Sequence, residues 1–147
     1  MSFWRRLFGQ TKDDGLRPQR LDYLNEALAL ERQGDYAAAI TSYRLALREH
    51  PADPRILQNI AIAFTRTGQA DEAIRHYKRA LEVDDTLVGT HYGVAFLLLK
   101  RGDTDEAASH LRVFLTRPPK GSDAERWIQH AEGTLREIES GAHSEAP

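Results

Sequence analysis

Three closely similar phrases recur along the 147-residue chain at a fixed interval: RQGDYAAAI at 32–40, RTGQADEAI at 66–74 and KRGDTDEAA at 100–108. A chain folded around one irregular core has no reason to repeat itself in register, whereas a stack of similar supersecondary units does. Set out at a period of 34, Gly34, Gly68 and Gly102 coincide, as do Ala27, Ala61 and Ala95 and then Ala39, Ala73 and Ala107. Two large apolar positions keep the same rhythm: Leu30, Phe64 and Leu98, then Tyr43, Tyr77 and Leu111. Pro51 and Pro119 also fall together, with Asp85 between them out of pattern.

Each unit reads as two helices joined at the glycine. In the middle unit Leu57, Ile60, Ala61 and Phe64 are spaced for one helical face, and Ala73, Ile74, Tyr77, Ala80 and Leu81 for a second. A Gly after a periodic run lets the chain turn at positive φ without a Cβ clash, and proline cannot continue a helix. Alanines on facing helices let the two backbones approach closely; a larger residue at Ala61 or Ala73 would force the hairpin apart, at ~1–3 kcal/mol. One hairpin leaves an apolar face uncovered, so about three must stack for stability. The spacing therefore predicts an all-α solenoid of three antiparallel helical hairpins, over residues 20–53, 54–87 and 88–121.

Departures from the pattern mark the ends. Glu26 stands where the next units have Ile60 and Val94, as suits an end unit whose outer face meets water. Phe114 stands where its equivalents are Ala46 and Ala80, so the third hairpin must open locally or send the ring into something beyond it. Ser122-Asp-Ala-Glu125 reads as a capping box opening a further helix over 122–139. Ala124, Trp127, Ile128, Ala131, Leu135 and Ile138 would give that helix one apolar stripe for covering the last hairpin, with Phe114 near Trp127. Residues 140–147 are small and polar and read as a disordered tail.

In this 34-residue helix-turn-helix period and its Gly/Ala/aromatic/Pro pattern, residues 20–121 resemble the tetratricopeptide repeat family. The resemblance implies that the first helix of each hairpin lines a concave groove that receives a peptide or a partner helix. By register, the first unit would offer Leu21, Leu24, Asn25, Leu28 and Arg32. The second would offer Arg55, Gln58, Asn59, Ile62 and Arg66, and the third Gly89, Tyr92, Gly93, Phe96, Leu99 and Lys100. One subfamily grips a peptide's terminal carboxylate with asparagines and basic residues. Asn25 and Asn59 match its asparagines, but Leu21, Gly89 and Gly93 stand where the basic partners belong, so a carboxylate clamp is not expected. What remains is an apolar stripe of Leu24, Leu28, Ile62, Tyr92, Phe96 and Leu99, edged by Arg55, Arg66 and Lys100. That stripe suits an amphipathic segment carrying acidic residues. The other reading is that several of these side chains pack between adjacent hairpins. Gly89 and Gly93 strip side chains from one helix face and allow a close approach.

Several functions are disfavoured by composition. Twenty basic against 22 acidic residues give a net charge of -2, which offers no case for nucleic-acid binding. The absence of cysteine excludes disulfides, thiolate nucleophiles and Cys-bound zinc. His50, His76, His91, His110, His130 and His143 are scattered, none in His-x3-His spacing; the repeat-equivalent His76 and His110 are expected on outward faces of second helices. Asp71-Glu72 and Asp105-Glu106 open second helices, where negative charge complements the helix dipole. Neither a metal, a cofactor nor a catalytic residue is expected, and no apolar run approaches the ~20 residues of a membrane span. A cytosolic location is the default.

The N-terminal FWRRLFG is a second candidate site. In a helix, Phe3, Trp4, Leu7 and Phe8 share one face while Arg5 and Arg6 point away. A segment so short cannot hold a helix alone in water, where ~12–15 residues are marginal. It must dock on a membrane surface, on its own repeats or on an external protein, or else stay disordered. The sequence thus points to a non-catalytic adaptor that binds a protein or peptide partner and is itself a monomer or weak homo-oligomer. The alternatives are a repeat protein tethered to a membrane periphery by Phe3–Phe8 and a self-associating assembly subunit.

Overall fold

The computed structural model describes residues 22–141. Seven helices run through them: α1 Tyr23–Arg32, α2 Tyr36–Glu49, α3 Pro54–Arg66, α4 Ala70–Val83, α5 Val88–Arg101, α6 Thr104–Thr116 and α7 Ala124–Glu139. Local chemistry sets their ends. The carboxylates of Asp22, Asp35 and Asp53 accept the backbone N–H groups of Asn25, Ala38 and Arg55, each satisfying an orphan donor of a first turn. Pro54, with φ pre-set and no N–H to lose, opens α3.

The three hairpin corners are built alike. Gly34, Gly68 and Gly102 have φ of 80°, 78° and 96°, and a Cβ at any of them would meet open space, so it is the backbone angle alone that calls for glycine. The residue after each glycine donates back across the turn: Asp35 to the Leu30 carbonyl, Gln69 to Phe64 and Asp103 to Leu98, at 2.9, 2.8 and 2.9 Å. Each of these bonds, with that of the glycine N–H itself, satisfies carbonyls that a helix end would leave bare.

Packing is heaviest between neighbours in the chain. Helices pair as α1/α2, α3/α4 and α5/α6, and the pairs meet through α2/α3 and α4/α5, with α7 closing on α6. The repeat alanines lie at these seams: Ala27, Ala61, Ala39, Ala73 and Ala107 are 0% exposed and Ala95 1%. Three buried clusters each span a seam. The first joins Ala27 of α1 to Ile60 of α3 and Ala73 of α4; the second joins Ala61 to Val94 and Ala107; the third joins Ala95, Leu111 and Phe114 to Ala131 of α7. Leu97 packs against both the first and the second, and so joins those two. Glu26 is exposed while its equivalents Ile60 and Val94 are fully buried, as expected of an end unit.

The C-terminal helix differs in detail from the sequence expectation. It begins at Ala124, and the capping box does not form: Asp123, at the cap position, makes no side-chain bond. Residues 121–123 instead form a tight turn, with Gly121 at φ 124° and the Ala124 N–H bonded to the Gly121 carbonyl at 3.2 Å. Asp123 is thereby held in the helical region (φ -89°, ψ -8°), not the extended conformation from which a capping side chain reaches back. Phe114 is buried, as its place in an alanine slot requires. Its neighbour, however, is Tyr92, whose ring lies 5.0 Å from Phe114 and 5.2 Å from Trp127 and so stands between them. Trp127 sits at the lip of the α7 stripe and is 40% exposed. The segment Phe3–Phe8, Leu21 and residues 142–147 lie outside the described residues.

Because Phe114 fills the seam that holds α7, Phe114→Ala is expected to lower the urea unfolding free energy by ~3–5 kcal/mol. Trp127→Ala should cost less than half as much. Equal effects from the two would contradict this packing.

Candidate functional site

The first helices α1, α3 and α5 supply the candidate surface. Every groove residue expected there and described is at least partly accessible: Asn25, Arg32, Arg55, Ile62, Arg66, Gly89 and Lys100 are exposed, and Leu24, Leu28, Gln58, Asn59, Tyr92, Gly93, Phe96 and Leu99 half-buried. The stripe divides residue by residue between side chains that pack on the core and one that does not. Leu24 and Leu28 lean on the first core cluster, Leu99 on the second, and Tyr92 and Phe96 on the third. Ile62 is 37% exposed and belongs to none.

The polar members differ just as much. The Asn25 amide donates to the Asp22 carboxylate, which ties it to the cap of α1. Asn59 makes no side-chain hydrogen bond among the described residues. Arg55 stands beside Asp53 at 3.8 Å, and the Arg66 guanidinium lies over the Tyr36 ring at 5.8 Å. These two cations mark opposite ends of α3, about 16 Å apart along its axis. Lys100 is exposed near the end of α5.

The two helical glycines do separate jobs. A Cβ on Gly93 would lie 3.0 Å from the Tyr77 hydroxyl, so the glycine is what lets that ring pass beneath α5. Burial pushes the Tyr77 hydroxyl above the usual phenol pKa. A Cβ on Gly89 would meet only Gln58 Nε2, at 3.7 Å. Gly89 is therefore open, and it leads into a cavity of about 500 Å³ lined by Tyr92, Phe114, Pro119 and Trp127. Beyond the cavity, α7 lays His130 over this end of the face. Its ring stacks on Phe96 at 4.5 Å and 4°, and its Nδ1 lies in hydrogen-bond contact with the Tyr92 hydroxyl at 2.6 Å.

The repeat-equivalent histidines are not on outward faces, contrary to the sequence expectation. His76 follows Ala73 by three residues and His110 follows Ala107 by three, so each lies at the edge of the buried stripe. The His76 ring is 5.1 Å from Phe64, and its Nδ1 bonds the Glu72 carbonyl at 2.7 Å. His110 meets His91 Nδ1 to Nδ1 at 3.0 Å, while His91 Nε2 reaches the Asp85 carbonyl at 3.1 Å. No periodicity announced that pairing, because His91 has no histidine at its repeat equivalents. Burial lowers the pKa of both His76 and His110; for His110 the neighbouring His91 and Lys78 lower it further, against Glu106. Among the described residues no three His, Cys, Asp or Glu are grouped to hold a metal.

Two family models, each described as tetratricopeptide repeat, match residues 24–86 and 88–112. The chain belongs to the tetratricopeptide repeat family. No curated protein sequence matches it. Among solved structures, the Sgt2 repeat domain from Aspergillus fumigatus is similar over 88% of this chain and 86% of that one, at 26% identity and a TM-score of 0.69. The Yersinia enterocolitica type III secretion chaperone SycD, in complex with a peptide of the translocator YopD, is similar over 86% of this chain and 95% of that one (20% identity, TM-score 0.74). The second repeat domain of human RPAP3, in complex with an HSP70 peptide, is similar over 80% and 98% (18% identity, TM-score 0.66). These three repeat proteins share the fold of the chain.

The half-buried histidines set a pH dependence of stability. With folded pKa values below the ordinary 6.5, the unfolded chain binds more protons as pH falls through that value, so stability is retained above it and lost below. Urea midpoints should therefore drop between pH 7.5 and pH 5, and a His76→Gln/His110→Gln variant should show a shallower slope. An unchanged slope would remove these histidines from the account.

Proposed function

We propose that this repeat protein is a non-catalytic adaptor that binds a peptide or helix of a partner protein along the face of α1, α3 and α5. The observation that carries this reading is the state of Asn59 and Ile62 at the middle of that face. Of the exposed large apolar side chains among the described residues, Val83, Val113 and Trp127 lie on α4, α6 and α7; Ile62 lies on a first helix, one turn from the unbonded Asn59 amide. Flanking cations at Arg55, Arg66 and Lys100 favour an acidic or amphipathic ligand. The SycD and RPAP3 structures, each holding a peptide, support this use of the fold. Gly89 and Gly93 remove the basic partners a terminal-carboxylate clamp needs, so recognition of an internal segment is the better match. The exposed Glu26 keeps the outer face of the first hairpin polar, which suits a monomer or weak self-association. Among the described residues no helix is long and apolar enough to cross a membrane.

Peptides selected from a phage-displayed library on the wild-type chain test the site. Ile62→Asp should weaken the selected peptides at least about tenfold, with little change in thermal stability because the residue is outside the core. Arg75→Glu, on a second helix, should leave binding unchanged. Equal affinity for wild type and Ile62→Asp would remove the face from consideration.

A further inference from the structure

We propose that the cavity at the C-terminal end of this face is an anchor pocket for one large apolar side chain of the bound peptide, read together with an acidic residue beside it. The inference rests on the peptide-binding reading above and adds what the peptide must carry. The cavity, about 500 Å³, lies between the first turns of α5 and α7 and the turn that joins α6 to α7. Its walls are the rings of Tyr92, Phe114, Trp127 and Pro119. Phe114, 2% exposed, is the floor, and Trp127, 40% exposed, is the lip; Tyr92 contacts both, so the aromatic surface is unbroken. Such a wall rewards burial of an apolar side chain and offers little to a charged one.

The rim supplies the second requirement. Lys120 lines the cavity and makes no ion pair or hydrogen bond among the described residues. The Arg126 guanidinium lies 5.4 Å from the centroid of the Trp127 ring. Of the residues that line the cavity, Lys120 is a cation and Asp123 a carboxylate; Arg126, beside the Trp127 ring, adds a second cation at the rim. A peptide acid beside the anchoring residue therefore meets net positive charge. The chain's own FWRRLF segment carries two arginines and no acidic residue, so it lacks the charge this rim selects, and the occupant is a segment of a partner protein. Gly89 lets its backbone in, and Gln58 of α3 lies beside Gly89, so a peptide running along the face reaches the pocket without a break.

The test is a titration of the 15N-labelled full-length chain with three blocked dipeptides. N-acetyl-leucyl-glutamate amide should give saturable shifts at the Gly89 amide and at the Trp127 indole N–H, the latter assigned with a Trp4→Phe variant. N-acetyl-alanyl-glutamate amide should bind about tenfold more weakly and N-acetyl-leucyl-lysine amide about threefold more weakly. Gly89→Leu fills the entrance with a good helix former whose Cβ has room, so it should abolish these shifts and leave the far-UV circular dichroism unchanged. Lys120→Glu should erase the preference for glutamate. Absence of saturable shifts, equal response to all three dipeptides, or full binding by Gly89→Leu would overturn the proposal. The selected peptides separate the two failures. If they lose affinity in Ile62→Asp but keep it in Gly89→Leu, the pocket is wrong and the groove stands; if both variants bind normally, the groove reading falls as well.

Discussion

The structure depends on buried alanines at the helix seams, whose methyl groups let the helices approach closely. Ala27, Ala61 and Ala95 on first helices and Ala39, Ala73 and Ala107 on second helices are all sealed from solvent. Since interiors are packed to near-crystalline density, a methyl at such a point cannot be enlarged without moving a helix. The bulk needed to fill the remaining space comes from Phe64, Tyr43, Tyr77 and Leu98, set beside the alanines at helical spacing. A hairpin built this way buries one face internally and leaves the other for its neighbour. The clusters show the consequence: the first two take residues from consecutive hairpins, and the third joins the last hairpin to α7.

Where the repeat is broken, the break has a structural counterpart. Phe114 replaces an alanine, and the seam it enlarges is the one filled by α7. Gly93 replaces an asparagine of the preceding units, and the Tyr77 ring occupies the space released. These two substitutions make the third hairpin the least regular. Beside them, Tyr92, Phe96, Trp127 and His130 gather at one end of the face. The same helix that covers the core thus shapes the surface beside the candidate groove.

The repeat made the fold readable before any coordinates, because a 34-residue period with glycine at each corner leaves few ways to arrange the chain. The alanine seams, the polar end at Glu26 and the closing helix were all legible for that reason. The candidate site was legible only as a register: it named which residues point to the face but not which of them the seams consume. Leu24 and Leu28 pack while Ile62 stays open, a difference that depends on the neighbouring hairpin rather than on the helix carrying them. The capping box is absent because the turn at Gly121 runs through Asp123 and starts α7 at Ala124, which leaves Ser122 outside the cap position. The His91–His110 contact escaped because it joins two helices at non-equivalent positions, which a period cannot reveal. The three Asp caps, by contrast, were within reach of the sequence, since an Asp precedes the periodic run in each case.

The central claim is that consecutive hairpins hold one another up through shared faces, and hydrogen exchange on an Ala61→Leu variant tests it most directly. Ala61 lies in the cluster that joins α3 and α4 to α5 and α6. If the faces are shared, the variant should lose amide protection in α3 and α4 and, by a comparable factor, in α5. Protection lost in α3 alone, with α4 and α5 as in the wild type, would show that the hairpins stand independently and would contradict the account.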